Sequence, residues 1–240
     1  EGLDLPIGGS LVSRPYVTMT GAVMSAFGVD VVELDGARFV VPSGKYQGRT
    51  YDIEPDASAA SYFFGAAAIT GGEITVEGLS RNSLQGDVAF VDLLEQMGCR
   101  ATFAADRITL RGGKLQGIDV DMNPISDTVQ TLAAVALFAE GPTTVTGVGH
   151  IRHKETDRIG AMATELRKLG ATVEEFEDGL RITPGSLHGA ELATYDDHRM
   201  AMSLALVGLR QPGVTILDPG CTAKTYPAYF EDLDRVRRGT

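Results

Sequence analysis

The sequence predicts an α/β (α+β) fold in which one unit of strand, helix, strand, helix, strand, strand recurs down the chain. Three observations carry this. Apolar residues switch between helical spacing and short runs with a period of two. Two segment types return at intervals of about 70 residues. A glycine follows the last apolar residue of several predicted helices, where a left-handed backbone ends the helix.

Taken in order, PYVTMTGAVMSAFGVDVVELDGARFVVP (15–42) reads as an amphipathic helix closed by Phe27-Gly28 and followed by two short strands. Asp35-Gly36 between them suits a two-residue hairpin turn. DASAASYFFGAAAITGGEITVEG (56–78) opens on an acidic residue, runs through an Ala-rich helix and ends in a Gly turn and a strand. DVAFVDLLEQMGCRATFAADRITLRG (87–112) returns to the first pattern, with Met97-Gly98 as its helix end. SDTVQTLAAVALFAEGPTTVTGV (126–148) then repeats the second. DRIGAMATELRKLGATVEEFEDGLRITPG (157–185) repeats the first, with Leu169-Gly170 and a further hairpin candidate at Asp178-Gly179. DDHRMAMSLALVGLRQPGVTILDPG (196–220) is the third acidic start, and KTYPAYFEDLDRVRR (224–238) adds a helix with no strands after it. Asp56, Asp127 and Asp197 lie 71 and 70 residues apart, and Gly28, Gly98 and Gly170 lie 70 and 72 apart.

On this pattern residues 1–50 hold the second half of one unit, and residues from about 53 to 235 hold two units and most of a third. SGKYQGRTYD breaks both periodicities, which places a boundary within Gly44–Asp52. An incomplete unit leaves strand edges unpaired, so residues 1–50 are expected to need further chain to complete their sheet. EGLDLPIGGS reads as the interior of a domain, which points to a piece of a longer protein.

Composition narrows the function. A hydrophobic fraction of 43% over 240 residues can bury a sizeable core. A net charge of −11 argues against a broad nucleic-acid surface. No apolar run approaches the roughly 18 residues of a membrane helix, and no basic-then-apolar leader opens the chain. Cys99 and Cys221 stand far apart outside any CxxC pattern and read as unpaired thiols of a reducing cytoplasm. His150, His153 and His188 have no metal-ligand spacing, and GVGH lacks the strand and helix context of a dinucleotide site, so no metal and no cofactor are expected.

Against this acidic background, charged residues gather where helices should begin: Asp127 in NPISD, Lys154, Glu155 and Arg158 in HKETDR, Arg199 in DDHRM, and Lys224 in CTAKTYP. A helix start carries unpaired N–H groups and a partial positive charge, so oxyanions bind there. Cations at such a position oppose the dipole unless an anion joins them. The set therefore predicts a cleft that holds a multiply anionic substrate and moves protons. Local readings compete. Asp127 fits a helix N-cap. The 154–158 run fits a solvated face, with the helix starting by Lys154 or capped at Thr156. Arg199 can pair with its neighbouring aspartates, and Lys224 begins the last predicted helix. Ser13-Arg14-Pro15-Tyr16 fits either a phosphate contact or a Ser cap ahead of a first-turn Pro.

NPISD, HKETDRIGAMATELRKLG, YDDHRMAMSLAL and CTAKTYPAYFEDL, with SRPYVTMTGAVMSAFGV and DASAASYFFGAAAI, together resemble the 5-enolpyruvylshikimate-3-phosphate synthases, or 3-phosphoshikimate 1-carboxyvinyltransferases, over nearly the whole chain. The UDP-N-acetylglucosamine enolpyruvyltransferases of peptidoglycan synthesis are similar in fold but lack the combination of KETDR with DHRMAM. The resemblance implies an inside-out α/β barrel of pseudo-threefold βαβαββ repeats whose helices start at an interdomain cleft. It implies that this is the C-terminal part of such an enzyme. Residues 1–50 would be the last portion of the upper, shikimate-phosphate-binding domain, and residues 53–240 the second domain with its three repeats.

The implied reaction transfers the enolpyruvyl group of phosphoenolpyruvate to the 5-hydroxyl of shikimate 3-phosphate, with phosphate released by addition and elimination. By resemblance Asp127 is the base and Glu155 the acid. Lys154 contacts both substrates, and Arg158, Arg199 and Lys224 clamp phosphoenolpyruvate. Ser13 touches the shikimate phosphate with Arg14 and Tyr16 nearby, and His150 stands where many members carry Asn. The implied partners are the two substrates and a missing N-terminal half, in a cytoplasmic enzyme that is monomeric when whole. The reading of a different class is a non-catalytic substrate-binding or assembly fragment.

Overall fold

The computed structural model describes residues 1–239. The chain begins with β1 (Leu3–Pro6), α1 (Arg14–Ala26), β2 (Val32–Leu34) and β3 (Arg38–Val41), the three strands forming an antiparallel sheet in the order β1-β3-β2. An extended stretch leads to α2 (Ala57–Thr70), β4 (Glu73–Glu77), α3 (Phe90–Gln96), β5 (Arg100–Phe103) and β6 (Arg107–Arg111), with sheet order β4-β6-β5. The next unit is complete: β7 (Asp119–Asp121), α4 (Val129–Ala136), β8 (Thr143–Thr146), α5 (Arg158–Lys168), β9 (Thr172–Phe176) and β10 (Gly179–Thr183), ordered β7-β8-β10-β9. The last comprises β11 (Glu191–Leu192), α6 (His198–Ala205), β12 (Thr215–Ile216) and α7 (Tyr229–Arg238), with β11 and β12 parallel.

The repeat has a physical centre. All eight residues of α4 are buried, as are eleven of the fourteen in α2, so these helices are enclosed on every side. Small residues let them meet closely. Ser61 of α2, Thr131 of α4 and Ser203 of α6 join hydroxyls at 3.1 and 3.3 Å with all three side chains buried. A Cβ on Gly65 would lie only 3.0 Å from Thr131. Around this trio α3, α5 and α7 face outward, and the sheets lie outside, with α4 and α5 against β8, β9 and β10.

The closed inside-out barrel expected from the resemblance is corrected here. Among the described residues the strands form four open sheets of three, three, four and two strands. Closure would give every strand two ladder neighbours, whereas β1, β2, β4, β5, β7, β9, β11 and β12 each have one. Strands of two to five residues make short ladders, and the chain passes from β6 to β7 and from β10 to β11 with no strand between, so adjacent ladders never join. The architecture is a helical centre with small separate sheets around it.

Gly28, Gly98 and Gly170 take left-handed φ of 87°, 106° and 98°, as helix-ending positions require. At Gly98 and Gly170 a Cβ would also strike the carbonyls of Lys114 and Ser186 at 2.5 and 2.4 Å. Asp35 and Gly36, both at positive φ, form the β2–β3 turn. The second hairpin differs. Its turn is 177–178, and Gly179 is the first residue of β10, where a side chain would collide with the Val145 carbonyl at 2.0 Å. No helix among the described residues is long and apolar enough to cross a membrane.

Candidate active site

Three short 3-10 turns carry the charged residues to one place. Asn123–Thr128 precedes α4 and holds Asp127, Gly149–His153 leads into the loop with Lys154 and Glu155 above α5, and Pro219–Lys224 ends on Lys224. Arg158 opens α5, whose cap is Asp157, which accepts from Gly160 N at 3.1 Å. Arg199 is the second residue of α6, capped by Asp197. Lys224 therefore lies before α7 rather than starting it, and Asp127 makes no capping bond to α4.

Asp127 is instead surrounded by cations. Lys154 Nζ donates to its Oδ1, Arg158 approaches the same oxygen at 3.4 Å, and Arg199 bonds Oδ2 at 2.9 Å. Glu155 accepts from Arg158 at 2.7 Å on one oxygen and from Lys224 at 2.7 Å on the other. These six residues line one open pocket of about 710 Å³. Four cations face two carboxylates there, so the pocket is net positive in an acidic chain.

Burial alone would raise the pKa of Asp127, but Arg199, Lys154 and Arg158 outweigh it and hold the carboxyl below its ordinary value. For Glu155, too, burial acts upward, and the Lys224 bond and the Arg158 charge overcome it, bringing the group down to about 2. Both are ionised at neutral pH. Arg199 moves further up. Burial opposes its charge, but Tyr62 and Asp127 favour it more strongly.

Ser13 takes a left-handed φ of 53° and makes no cap. Its hydroxyl meets His150 Nε2 at 2.9 Å and Ser126 Oγ at 3.2 Å, and its N–H donates to Asn123 at 3.1 Å. Lys154 reaches Ser126 at 3.4 Å, so this polar corner adjoins the charged pocket. Burial and the nearby Lys154 charge keep the His150 pKa low. Tyr16 donates to Asp87 at 2.7 Å, and its ring lies 6.0 Å from Lys154 Nζ. Arg14 is not brought in. It is exposed and held by both Glu33 oxygens at 2.7 and 2.9 Å and by the Gly36 carbonyl at 3.0 Å.

A family model described as EPSP synthase (3-phosphoshikimate 1-carboxyvinyltransferase) matches residues 1–233. The chain belongs to the EPSP synthase family. It is 55% identical over 224 residues to the 3-phosphoshikimate 1-carboxyvinyltransferase of Nostoc punctiforme, covering 92% of this chain and 53% of that protein. It is 53% identical over 239 residues to that of Escherichia coli strain K12, covering 98% and 56%. The EPSP synthase structure from Acinetobacter baumannii superposes with a TM-score of 0.79 at 28% identity, over 98% of this chain and 56% of that one. The enolpyruvyl transferase NikO from Streptomyces tendae shares the fold, at a TM-score of 0.72 and 23% identity over 98% of this chain and 55% of its own. The chain spans about half the length of the curated relatives it matches.

Three supports of this pocket escaped the sequence reading. Asp197, fully buried, receives Arg158 Nε at 2.7 Å and its terminal nitrogen at 3.2 Å, while also accepting from Arg199 N at 2.8 Å. Tyr62 accepts from Arg199 at 3.4 Å. Asp87, buried, accepts from both Tyr16 and Ser58. Asp197 carried one visible signal, its place in the 70-residue series with Asp56 and Asp127.

Proposed function

We propose that this chain forms one wall of the active site of a 3-phosphoshikimate 1-carboxyvinyltransferase. The reaction moves the enolpyruvyl group of phosphoenolpyruvate to the 5-hydroxyl of shikimate 3-phosphate and releases phosphate. The observation that carries this reading is the pocket itself, where Arg158, Arg199, Lys224 and Lys154 converge around two carboxylates. A carboxylate and a phosphate on one small molecule fit four fixed cations, and preorganised charges of this kind are a large catalytic contribution.

In this reading Glu155 delivers a proton to the methylene carbon while the shikimate oxygen attacks the adjacent carbon and passes its proton to Asp127. In the second step phosphate leaves with the proton from Asp127, and the methyl carbon returns its proton to Glu155, so both carboxyls end as they began. Glu155 must first be protonated, which its two cation bonds oppose. A bound phosphoenolpyruvate resolves this by drawing Arg158 and Lys224 onto its own anionic groups, which lets the Glu155 pKa rise. Ser13, Tyr16 and His150 would face the shikimate phosphate end. Arg14 would join only if Glu33 released it.

We also read the chain as the later half of the enzyme, with residues 1–50 completing an upper domain and 53–240 forming the second. Exposed Leu3 and Leu5 on one face of the first sheet, and exposed Val32 and Leu34 on the other, support this, since both faces leave apolar side chains for further chain to cover. The missing half would supply the opposite wall of the pocket. Phosphate release measured with both substrates tests the assignment. The chain alone should turn over negligibly and gain activity when the complementary half is added. Failure of complementation, with both halves folded, would leave the non-catalytic fragment instead.

A further inference from the structure

A fully buried carboxylate on α5 has no part in the chemistry above. Glu165 lies seven residues after Arg158, two turns along the same helix face. Its Oε2 accepts the backbone N–H of Ala193 at 3.0 Å, and its Oε1 accepts the Tyr195 hydroxyl at 2.6 Å. Lys168 closes the group from the solvent side at 2.8 Å. Within the segment 193–197 so gripped, Tyr195 and Asp196 both take left-handed φ of 56°. Consecutive non-glycine residues in that region are strained and persist only where the surroundings over-determine them.

The next residue is Asp197, which holds Arg158 and caps the helix that carries Arg199. One face of α5 therefore grips one loop twice, through Glu165 at its start and Arg158 at its end. Thr194, buried between these points, lies 3.5 Å from the carbonyl of Asp218, which precedes the Lys224 turn.

We propose that Glu165 is a positioning residue for the anion seat, fixing the 193–197 loop and through it Asp197, Arg158 and Arg199. That the anion is phosphoenolpyruvate rests on the functional reading above. Glu165 touches no substrate. Its carboxylate accepts two hydrogen bonds, from Ala193 N–H and the Tyr195 hydroxyl, that hold a strained loop in the one conformation that aims Asp197 at Arg158.

The test follows the Arg158 Nε–H signal by NMR in the isotopically labelled chain. Tyr195→Phe removes one anchoring bond and Glu165→Leu removes both, whereas Glu165→Gln keeps an acceptor. Each lost bond to a charged acceptor should speed exchange of that N–H about tenfold. Glu165→Gln should restore much of the protection, and Lys168→Met, which leaves both loop bonds in place, should change little. Titrated phosphoenolpyruvate should shift the Arg158 and Arg199 signals with an apparent Kd about tenfold weaker in Tyr195→Phe. Unchanged Arg158 exchange in a folded Tyr195→Phe chain overturns the proposal, and if Glu165→Leu does not fold, this variant still decides. A parent chain whose signals ignore phosphoenolpyruvate would count against the functional reading, while the exchange measurement would still settle the clamp.

Discussion

Lys224 and Glu155, 69 residues apart, meet at 2.7 Å across the mouth of the charged pocket. The pair joins the turn before α7 to the loop before α5, and it contributes to holding the Glu155 pKa near 2.

Replacing Lys224 with Met should therefore raise the Glu155 pKa toward its ordinary 4.5, with Arg158 still holding it partly down. The sign for stability follows. A carboxyl depressed on folding contributes stability above about 4.5 and loses it as pH falls toward 2. Carboxyl-carbon NMR titration of parent and Lys224→Met checks the shift, and acid unfolding should begin at higher pH in the variant.

Removing the carboxylate of Asp127 leaves Lys154, Arg158 and Arg199 facing one another. Asp127→Ala should bind inorganic phosphate more tightly than the parent, because an anion then relieves the repulsion. In the complemented enzyme the same change should cut turnover by at least about 100-fold, the size of a lost general base. Calorimetric titration and a phosphate-release assay read the two effects, and weakened phosphate binding would contradict the charge argument.

Arg158 and Asp197 are 1% and 0% exposed, so neither can turn to water when its partner is removed. Asp197→Ala leaves Arg158 its bonds to Glu155 and Asp127, so the chain should lose about 1.5–3 kcal/mol, the range for a lost bond to a charged group, rather than the larger cost of an unpaired buried charge. Urea denaturation with an unchanged slope would report this as lost stability rather than altered compactness.

Asp87 runs the opposite way with pH. Burial pushes its pKa up, against the bonds from Ser58 and Tyr16 that lower it. A carboxyl whose pKa is raised on folding stabilises the protein at low pH, and that contribution fades as pH rises through the raised value. Asp87→Asn should remove this loss, so its thermal midpoint at neutral pH should equal or exceed the parent's while Tyr16 keeps an acceptor.

Thr131 links Ser61 and Ser203 where the three inner helices touch. Thr131→Val keeps the shape and deletes the hydroxyl. Ser61 retains its bond to the Ser58 carbonyl, while Ser203 loses its partner. Stability should fall by about 1–3 kcal/mol, and Thr131→Val with Ser203→Ala should recover part of it in thermal melts.

Local pattern showed the repeat and the charged set because both are written in short stretches. The spacing of Asp56, Asp127 and Asp197 foretold helices that pack together, and the six charged residues do share one pocket. What escaped depends on contacts between distant segments. No local signal says that Asp197 faces Arg158 rather than the side chain of Arg199, or that Glu33 occupies Arg14. The caps misled for a related reason. Asp127 has the residue type of a cap, but three cations outcompete one backbone N–H for it. Ring closure of the sheets was inferred by analogy with a family, and ladder pairing between adjacent units is invisible in sequence.

The open edges of the four sheets also bear on how the chain behaves in bulk. Leu3 and Leu5 on edge strand β1, 55% and 46% exposed, sit beside unpaired backbone groups, a combination prone to self-adhesion. At neutral pH the net charge of −11 keeps molecules apart by mutual repulsion. Near the sequence pI of about 4.8 that repulsion vanishes while the adhesive strips remain, so colloidal stability, not unfolding, should set the acid limit for handling this chain.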